Sequence, residues 1–223
     1  MRLDDPVIAG AAIAALLLVA AANGGCARRS PVPRAAERAV VAPDSFRVAF
    51  ETSRGRFDVV AHRAWAPNGV DRFYDLVRRG YYDGVTFFRV VPNFVAQFGL
   101  SGDPRITEAW RTRSIVDEPV RQTNRRGRIA FARGGRNTRT VQLFINLRDN
   151  PRLDTLNNFG FPPIAEVVSG MDVVDSLYSG YGEAAPRGRG PPQDSIRAQG
   201  NTYLARAFPR LDSIRRARVT RKW

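Results

Sequence analysis

Arg89 stands inside an apolar run, Val85-Thr-Phe-Phe-Arg-Val-Val-Pro-Asn-Phe-Val-Ala-Gln97. Arginine is a permanent cation with five donors in a planar fork. A strand that served only as core has no use for one. Downstream, Gln142-Leu-Phe-Ile-Asn-Leu147 repeats the pattern of an isolated amide beside large hydrophobes. Two strands that each place one polar head on an apolar surface predict a shallow greasy pocket with a few aimed donors. Other chemistries have less to work with. His62 is the single histidine and Cys26 the single cysteine, which argues against a metal centre and excludes an intramolecular disulfide. His62 also lies far along the chain from the pocket strands, which argues against a Ser-His-Asp hydrolase. Gly134-Gly135 is followed by no helix, so it is not a phosphate loop.

The strands must carry these groups. Val85, Phe87, Val90, Val91, Phe94 and Val95 are β-branched or aromatic, and predict two strands separated by a Pro92-Asn93 turn. Upstream, Ser45–Thr52 and Gly55–His62 alternate apolar and polar residues around Ser53-Arg54-Gly55, a hairpin signal. Ala66-Pro67 opens a helix with Val70, Phe73, Tyr74 and Val77 at helical spacing, and Gly80 closes it. Gly99–Arg128 reads as a long arginine-rich loop, and loops of such length are usually functional. Further strands are predicted at Ile129–Ala132, at the Gln142 segment and at Ile164–Val168, then a helix over Met171–Tyr178. Asp194–Phe208 looks helical despite Gly200, and Ile214–Thr220 could supply a closing strand.

The segment Phe87-x-Arg89-Val-Val-Pro-x-Phe94-x-x-Gln97 resembles the signature of cyclophilin-type peptidyl-prolyl cis-trans isomerases. Gln142-Leu-Phe144-Ile, Leu153-Asp154 and Val167-Val-x-Gly170-Met-Asp-Val-Val-Asp175 follow in the family's order, over roughly Phe46 to Leu177. The resemblance implies a mainly β fold, a closed antiparallel eight-stranded barrel capped by two helices. Here it would carry an extra C-terminal helical segment with no counterpart in the minimal fold. It further implies Arg89 and Gln97 as catalytic residues, with Gln97 orienting Arg89. Phe94, Phe144 and Leu153 would seat a proline ring, with Val95 where the family often has methionine. Gln142 and the Ala132 backbone would hold the substrate chain. Arg133 stands where an asparagine is usual, Arg152 where tryptophan or a smaller residue is common, and Phe161 is the nearest match to a pocket histidine. These departures bear on peptide preference and on cyclosporin-like inhibitor binding.

The implied reaction needs no cofactor. Rotation about X-Pro meets a barrier of ~18–20 kcal/mol because the amide is conjugated. The twisted transition state leaves a lone pair on the proline nitrogen, and a donor aimed there stabilises it over both planar forms. No bond breaks. The competing readings are a holdase that grips proline peptides with weak turnover, and a nucleic-acid-binding protein using a basic tail. An arginine placed for a transition state argues against the first.

The formal charge of +14 permits the second, and Glu183–Trp223 holds ten basic against three acidic residues. Lys222 is the only lysine, so the arginines reflect a bias throughout the chain, and a solvated basic surface is the simpler reading. An acidic membrane surface is the better second choice. Val7–Ala22 is an apolar run of signal-peptide length, ending in Asn23-Gly24-Gly25-Cys26. Small residues before a lone cysteine resemble the site at which bacterial lipoproteins are cleaved and lipidated. Arg2 is outweighed by Asp4 and Asp5, and Asn23 departs from the usual leucine, so cleavage after Ala22 is the alternative. The expected organisation is a signal peptide over 1–25, a lipidated Cys26 with a flexible Ala/Arg/Pro tether over 26–44, and an isomerase domain over 45–223. The expected protein is an exported, membrane-anchored monomer in the periplasm or cell envelope. Its partners would be X-Pro polypeptides rather than nucleic acid.

Overall fold

The computed structural model describes residues 30–33 and 40–223. The apolar run Val7–Ala22 and Cys26 lie outside the described residues. Strand β1 (Ser45–Thr52) buries Phe46, Val48 and Phe50 completely and turns Glu51 to solvent. Strand β2 (Gly55–His62) buries Phe57, Val59 and Ala61 in the same rhythm. Because strand side chains alternate between faces, both strands present one aromatic face to a common interior. Phe50 and Phe57 stack there with ring centroids 4.9 Å apart. The two strands pair from Ser45↔His62 to Thr52↔Gly55, leaving Ser53 and Arg54 as the expected tight connection.

Six more strands complete one antiparallel sheet: β3 (Arg89–Val91), β4 (Val95–Phe98), β5 (Arg128–Phe131), β6 (Leu143–Asn146), β7 (Pro163–Ser169) and β8 (Ile214–Lys222). Their order is β3-β4-β6-β5-β7-β2-β1-β8. The turn from β3 to β4 holds Asn93 at φ 57, a left-handed conformation that asparagine tolerates better than most residues. The two outer strands, β3 and β8, do not pair with each other. The sheet instead curls onto itself just ahead of both: Gly84 N donates to Ile214 O (2.8 Å), Ile214 N to Val85 O (2.8 Å) and Phe87 N to Asp212 O (2.9 Å). The expected closed barrel is present, joined by a short link.

Helix α1 (Pro67–Arg78) packs Val70, Phe73, Leu76 and Val77 onto the barrel core. Its cap residue Ala66 offers no side-chain acceptor. Glu118 supplies one from fifty residues away, accepting from Asn68 N (2.6 Å) and Gly69 N (3.0 Å). A carboxylate is favoured at this end of a helix. The same carboxylate accepts from the fully buried Arg139 (3.0 Å).

The sequence expectation needs correction in three places. Gly99–Arg128 is not all loop, because α2 (Pro104–Arg111) forms within it. Asp103 caps that helix by accepting from Arg105 N at 2.9 Å, and Thr107 and Trp110 share its buried face. The late helix α3 is shorter than predicted, Met171–Asp175. Helix α4 (Gln193–Ala207) is interrupted at Gly200, whose φ of 59° and ψ of −143° are not helical. A Cβ there would lie 2.0 Å from Gly102 O, so the backbones meet where only glycine fits.

The described parts of the expected tether touch the domain. Pro31 O accepts from Trp110 Nε1 (2.8 Å), Ser30 O accepts from Arg79 (2.9 Å), and Ala42 is buried with its N–H on Asp71 (2.9 Å). Among the described residues, no helix is long and apolar enough to cross a membrane.

Replacing Glu118 with alanine uncaps α1 and strands the buried Arg139 charge beside Asp117 alone. We expect a loss of about 3–5 kcal/mol of stability, read by urea denaturation. A loss below 1 kcal/mol would show that Asp117 suffices.

Candidate active site

Alternation in β4, β5 and β6 divides their side chains between two surfaces. Ala96, Phe98, Ile129, Phe131, Leu143 and Ile145 enter the barrel core. Val95, Ala130 and Phe144 point the other way and form a separate apolar cluster with Leu153, flanked by Phe94, Ala132, Leu156 and Phe161. Register then aligns the polar groups with this cluster. Arg89 pairs with Gln97, Gln97 with Phe144, and Phe144 with Ala130, a single row across four strands. Arg89, Gln97 and Phe144 of this row line a cavity of about 560 Å³ on the outer face of the barrel, and Ala130 packs in the buried cluster with Phe144.

Arg89, Phe94, Val95, Gln97, Ala132, Arg133, Phe144, Leu153 and Phe161 all border that cavity. Phe161 meets Phe144 edge to face, with centroids 5.6 Å apart. Gln142 does not line this cavity but a neighbouring one of about 340 Å³, which shares Gln97, Ala132, Arg133 and Gln193 with it. Arg152 is exposed and borders neither.

Amides hold Arg89 in a directed chain. Arg89 Nη1 donates to Gln97 Oε1 (3.1 Å), Gln97 Nε2 to Gln142 Oε1 (2.9 Å), and Gln142 Nε2 to Gln193 Oε1 (3.1 Å). The Gln97 side-chain oxygen thereby meets one edge of the Arg89 guanidinium. Gln142 extends the chain rather than standing free. The Ala132 N–H is used on Gln142 O (2.9 Å), so what it can offer a bound chain is its carbonyl.

Arg133 borders the cavity with its guanidinium turned away from free contact. Its side chain is only 2% exposed, held by Asp117 Oδ2 (3.1 Å) and the Gly160 carbonyl. It lies 3.6 Å from the Phe159 ring centroid and 4.8 Å from that of Phe161. Burial pushes its pKa down, against the pull of Asp117. It backs the aromatic wall. His62 lies at the end of β2, stacked on Trp65 and 3.6 Å from Glu166, away from the cavity.

Two features had no sequence expectation. A buried amide network fixes the loop that brings Leu153 and Phe161. Asn146 donates to Asn124 (3.1 Å), Asn150 to Asn146 (2.9 Å) and to Phe94 O (3.0 Å), and Asn124 to Asp154 (2.8 Å) and Phe161 O (2.9 Å). The polar member of Leu153-Asp154 is the only sign of it in the quoted motifs. The second feature is Glu183, whose carboxylate grips Arg89 side-on, through Nε and through Nη2 (3.0 Å). The Arg89 hydrogen bond holds the Glu183 carboxyl below its usual range, while partial burial works the other way. No local pattern announces a partner 94 positions along the chain.

A cation steadied by an amide beside an aromatic seat suits a neutral ring attached to a polarisable amide. Comparison with known proteins agrees. The family model for cyclophilin type peptidyl-prolyl cis-trans isomerase matches residues 47–198. The chain belongs to this family. It is 34% identical over 143 residues to peptidyl-prolyl cis-trans isomerase A of Dickeya dadantii, covering 62% of this chain and 74% of that one. Peptidyl-prolyl cis-trans isomerase B of Escherichia coli is 35% identical over 136 residues, covering 58% and 82%. A Cryptosporidium parvum cyclophilin shares the fold at a TM-score of 0.59 and 19% identity, covering 80% of this chain and 99% of that one. The same protein has been solved in the presence of the dipeptide Ala-Pro, with a TM-score of 0.58. This cyclophilin is a peptidyl-prolyl cis-trans isomerase.

Phe144 lines the cavity and is 5% exposed. Phe144→Ala should raise KM for proline peptides and lower stability by roughly 3–5 kcal/mol. Phe144→Leu should keep most of the stability while still raising KM. A Leu variant with wild-type KM would place the ring seat elsewhere.

Proposed function

We propose that Arg89 is the donor that drives rotation, that Phe94, Phe144, Leu153 and Phe161 seat the proline ring, and that the clients are X-Pro segments of exported chains. The observation that carries the site assignment is the cross-strand row Arg89–Gln97–Phe144 along one cavity. It sets a charged donor on β3 and the Phe144 ring of the apolar seat on β6, with Gln97 of β4 between them, two strand spacings or roughly 10 Å across. A proline ring in the seat brings its own nitrogen towards the guanidinium.

The mechanism follows from what each group can do. In the planar amide the nitrogen lone pair is delocalised and accepts poorly. As the bond twists the lone pair localises, and a guanidinium N–H gains a hydrogen bond absent from both ground states. Arg89 presents a planar guanidinium, and Gln97 fixes its orientation through Nη1. The aromatic walls exclude water from the bond, which strengthens that interaction. Nothing in this sequence calls on a nucleophile or a metal.

Export rests on the apolar run Val7–Ala22 and the small residues ahead of Cys26. We place the domain in the periplasm or cell envelope, anchored through a lipidated Cys26. Mass spectrometry of the mature N-terminus tests this: an unmodified Cys26, or a chain beginning after Ala22, removes the anchor.

Arg89→Ala should lower kcat/KM by at least ~10²-fold in a protease-coupled proline-peptide assay, the size expected for losing one aimed donor. A folded variant with near-wild-type turnover would take Arg89 out of the mechanism. Activity should also persist in excess chelator; loss reversed by added zinc would overturn the metal-free scheme.

A further inference from the structure

The Arg89 guanidinium makes hydrogen bonds in three directions, and two of them go to Glu183. Glu183 belongs to neither the barrel nor the seat. It begins the segment 183–191 between α3 and α4, whose Ala184, Ala185, Arg187 and Pro191 border the same cavity as the proline seat. The segment is built rather than loose. Gly190 N donates to Glu183 O (2.7 Å) and Arg189 N to Tyr181 O (3.1 Å), folding it back on itself. A Cβ at Gly188 would lie 2.2 Å from Glu183 O, and one at Gly190 would lie 2.8 Å from Gly182 O. Two glycines are thus needed for the fold-back to pack. At its base Tyr181 meets Tyr178 (5.1 Å) and Phe208 (5.0 Å) edge to face. Helix α4, beyond the segment, is fixed to the barrel through Ile196 and Leu204 against Phe88 and Leu100. Anchored at both ends, the segment presents one carboxylate to one arginine.

That carboxylate opposes the chemistry. Arg89 stabilises the twisted amide by meeting electron density that develops on nitrogen. A carboxylate bound side-on to the same guanidinium neutralises its charge and occupies the Nε–Nη2 edge. It is a better acceptor than a tertiary amide nitrogen, so it competes with the transition state. Arg89 and Glu183 are each about a fifth exposed, so water and salt reach the pair.

We propose that Glu183 is a restraining residue: the strap 183–191 holds its carboxylate on Arg89, and the peptide must displace it before rotation proceeds. The proposal rests on Arg89 being the donor. Engagement of the strap lowers activity, and release raises it. Because the contact is one partly exposed ion pair, salt and competing anions weaken it.

The test compares full-length wild type with Glu183→Gln, which keeps shape and removes charge. Turnover comes from the coupled assay, and affinity from direct titration of an X-Pro peptide. Circular dichroism and thermal melts verify the fold of each protein. The expected result is a kcat/KM at least ~5-fold higher in Glu183→Gln, with tighter peptide binding. Wild-type activity should climb towards the variant's as salt rises to ~0.5 M, where screening lengths fall to a few ångströms. The variant's own activity should be flat over that range. Equal kcat/KM in the two proteins at low salt would overturn the proposal. A lower value in Glu183→Gln would also overturn it, making Glu183 a positioning residue for Arg89. If neither protein turns over peptide but the variant binds it more tightly, the strap stands and the catalytic role given to Arg89 falls.

Discussion

Side chains of a strand alternate between two faces, and a barrel turns one face inward. In this cyclophilin that constraint makes the core and the active site from the same strands. Ala96, Phe98, Ile129, Phe131, Leu143 and Ile145 fill the interior. Their neighbours Val95, Gln97 and Phe144 face the cavity with no further device. A slip of one residue in β4 would send Gln97 into the core and Phe98 into the pocket. Stability and function are thereby tied to a single register. The large inner aromatics that enforce the register also turn Gln97 and Phe144 towards the cavity.

The outer surface is harder to hold, because it lacks a second layer along its length. The chain fixes it with directional polar contacts. The amide chain from Arg89 through Gln97 and Gln142 to Gln193 links three strands' worth of site to α4. The asparagine network does the same for the loop carrying Leu153 and Phe161. Hydrogen bonds in such networks are each modest in net worth, but leaving a buried member unpaired is expensive. A rigid site follows from that asymmetry more than from the strength of any one bond. Arg133 is a partial case on the aromatic wall: Asp117, a carbonyl and two rings absorb its charge, while its buried Nε has no hydrogen-bond partner.

What could be read from the sequence was what local pattern encodes. The hairpin at Ser53-Arg54, the Pro92-Asn93 turn, α1 and the eight strands each announce themselves within a dozen residues. The outward residues Arg89, Gln97 and Phe144 were legible because each breaks or punctuates a strand pattern. Helix α2 was overlooked, though Asp103-Pro104 is a start signal, because arginines surround it and it fully buries only Thr107 and Trp110. Glu183 and the tie from Glu118 to Arg139 could not be read at all. Each depends on distant segments being brought together, and a carboxylate on a polar loop carries no mark of its partner.

The join that closes the barrel lies between residues 84–87 and 212–214, and β1 finds its second neighbour only in β8. Synthesis delivers those segments at opposite ends of the domain. Until the last strand emerges, β1 has a bare edge of unpaired backbone groups, the kind that recruits other strands. Contacts so distant along the chain also form slowly. A foldase of this architecture thus passes through a long adolescence in which it is itself a candidate for chaperoning, and its final nine-residue strand ends that dependence.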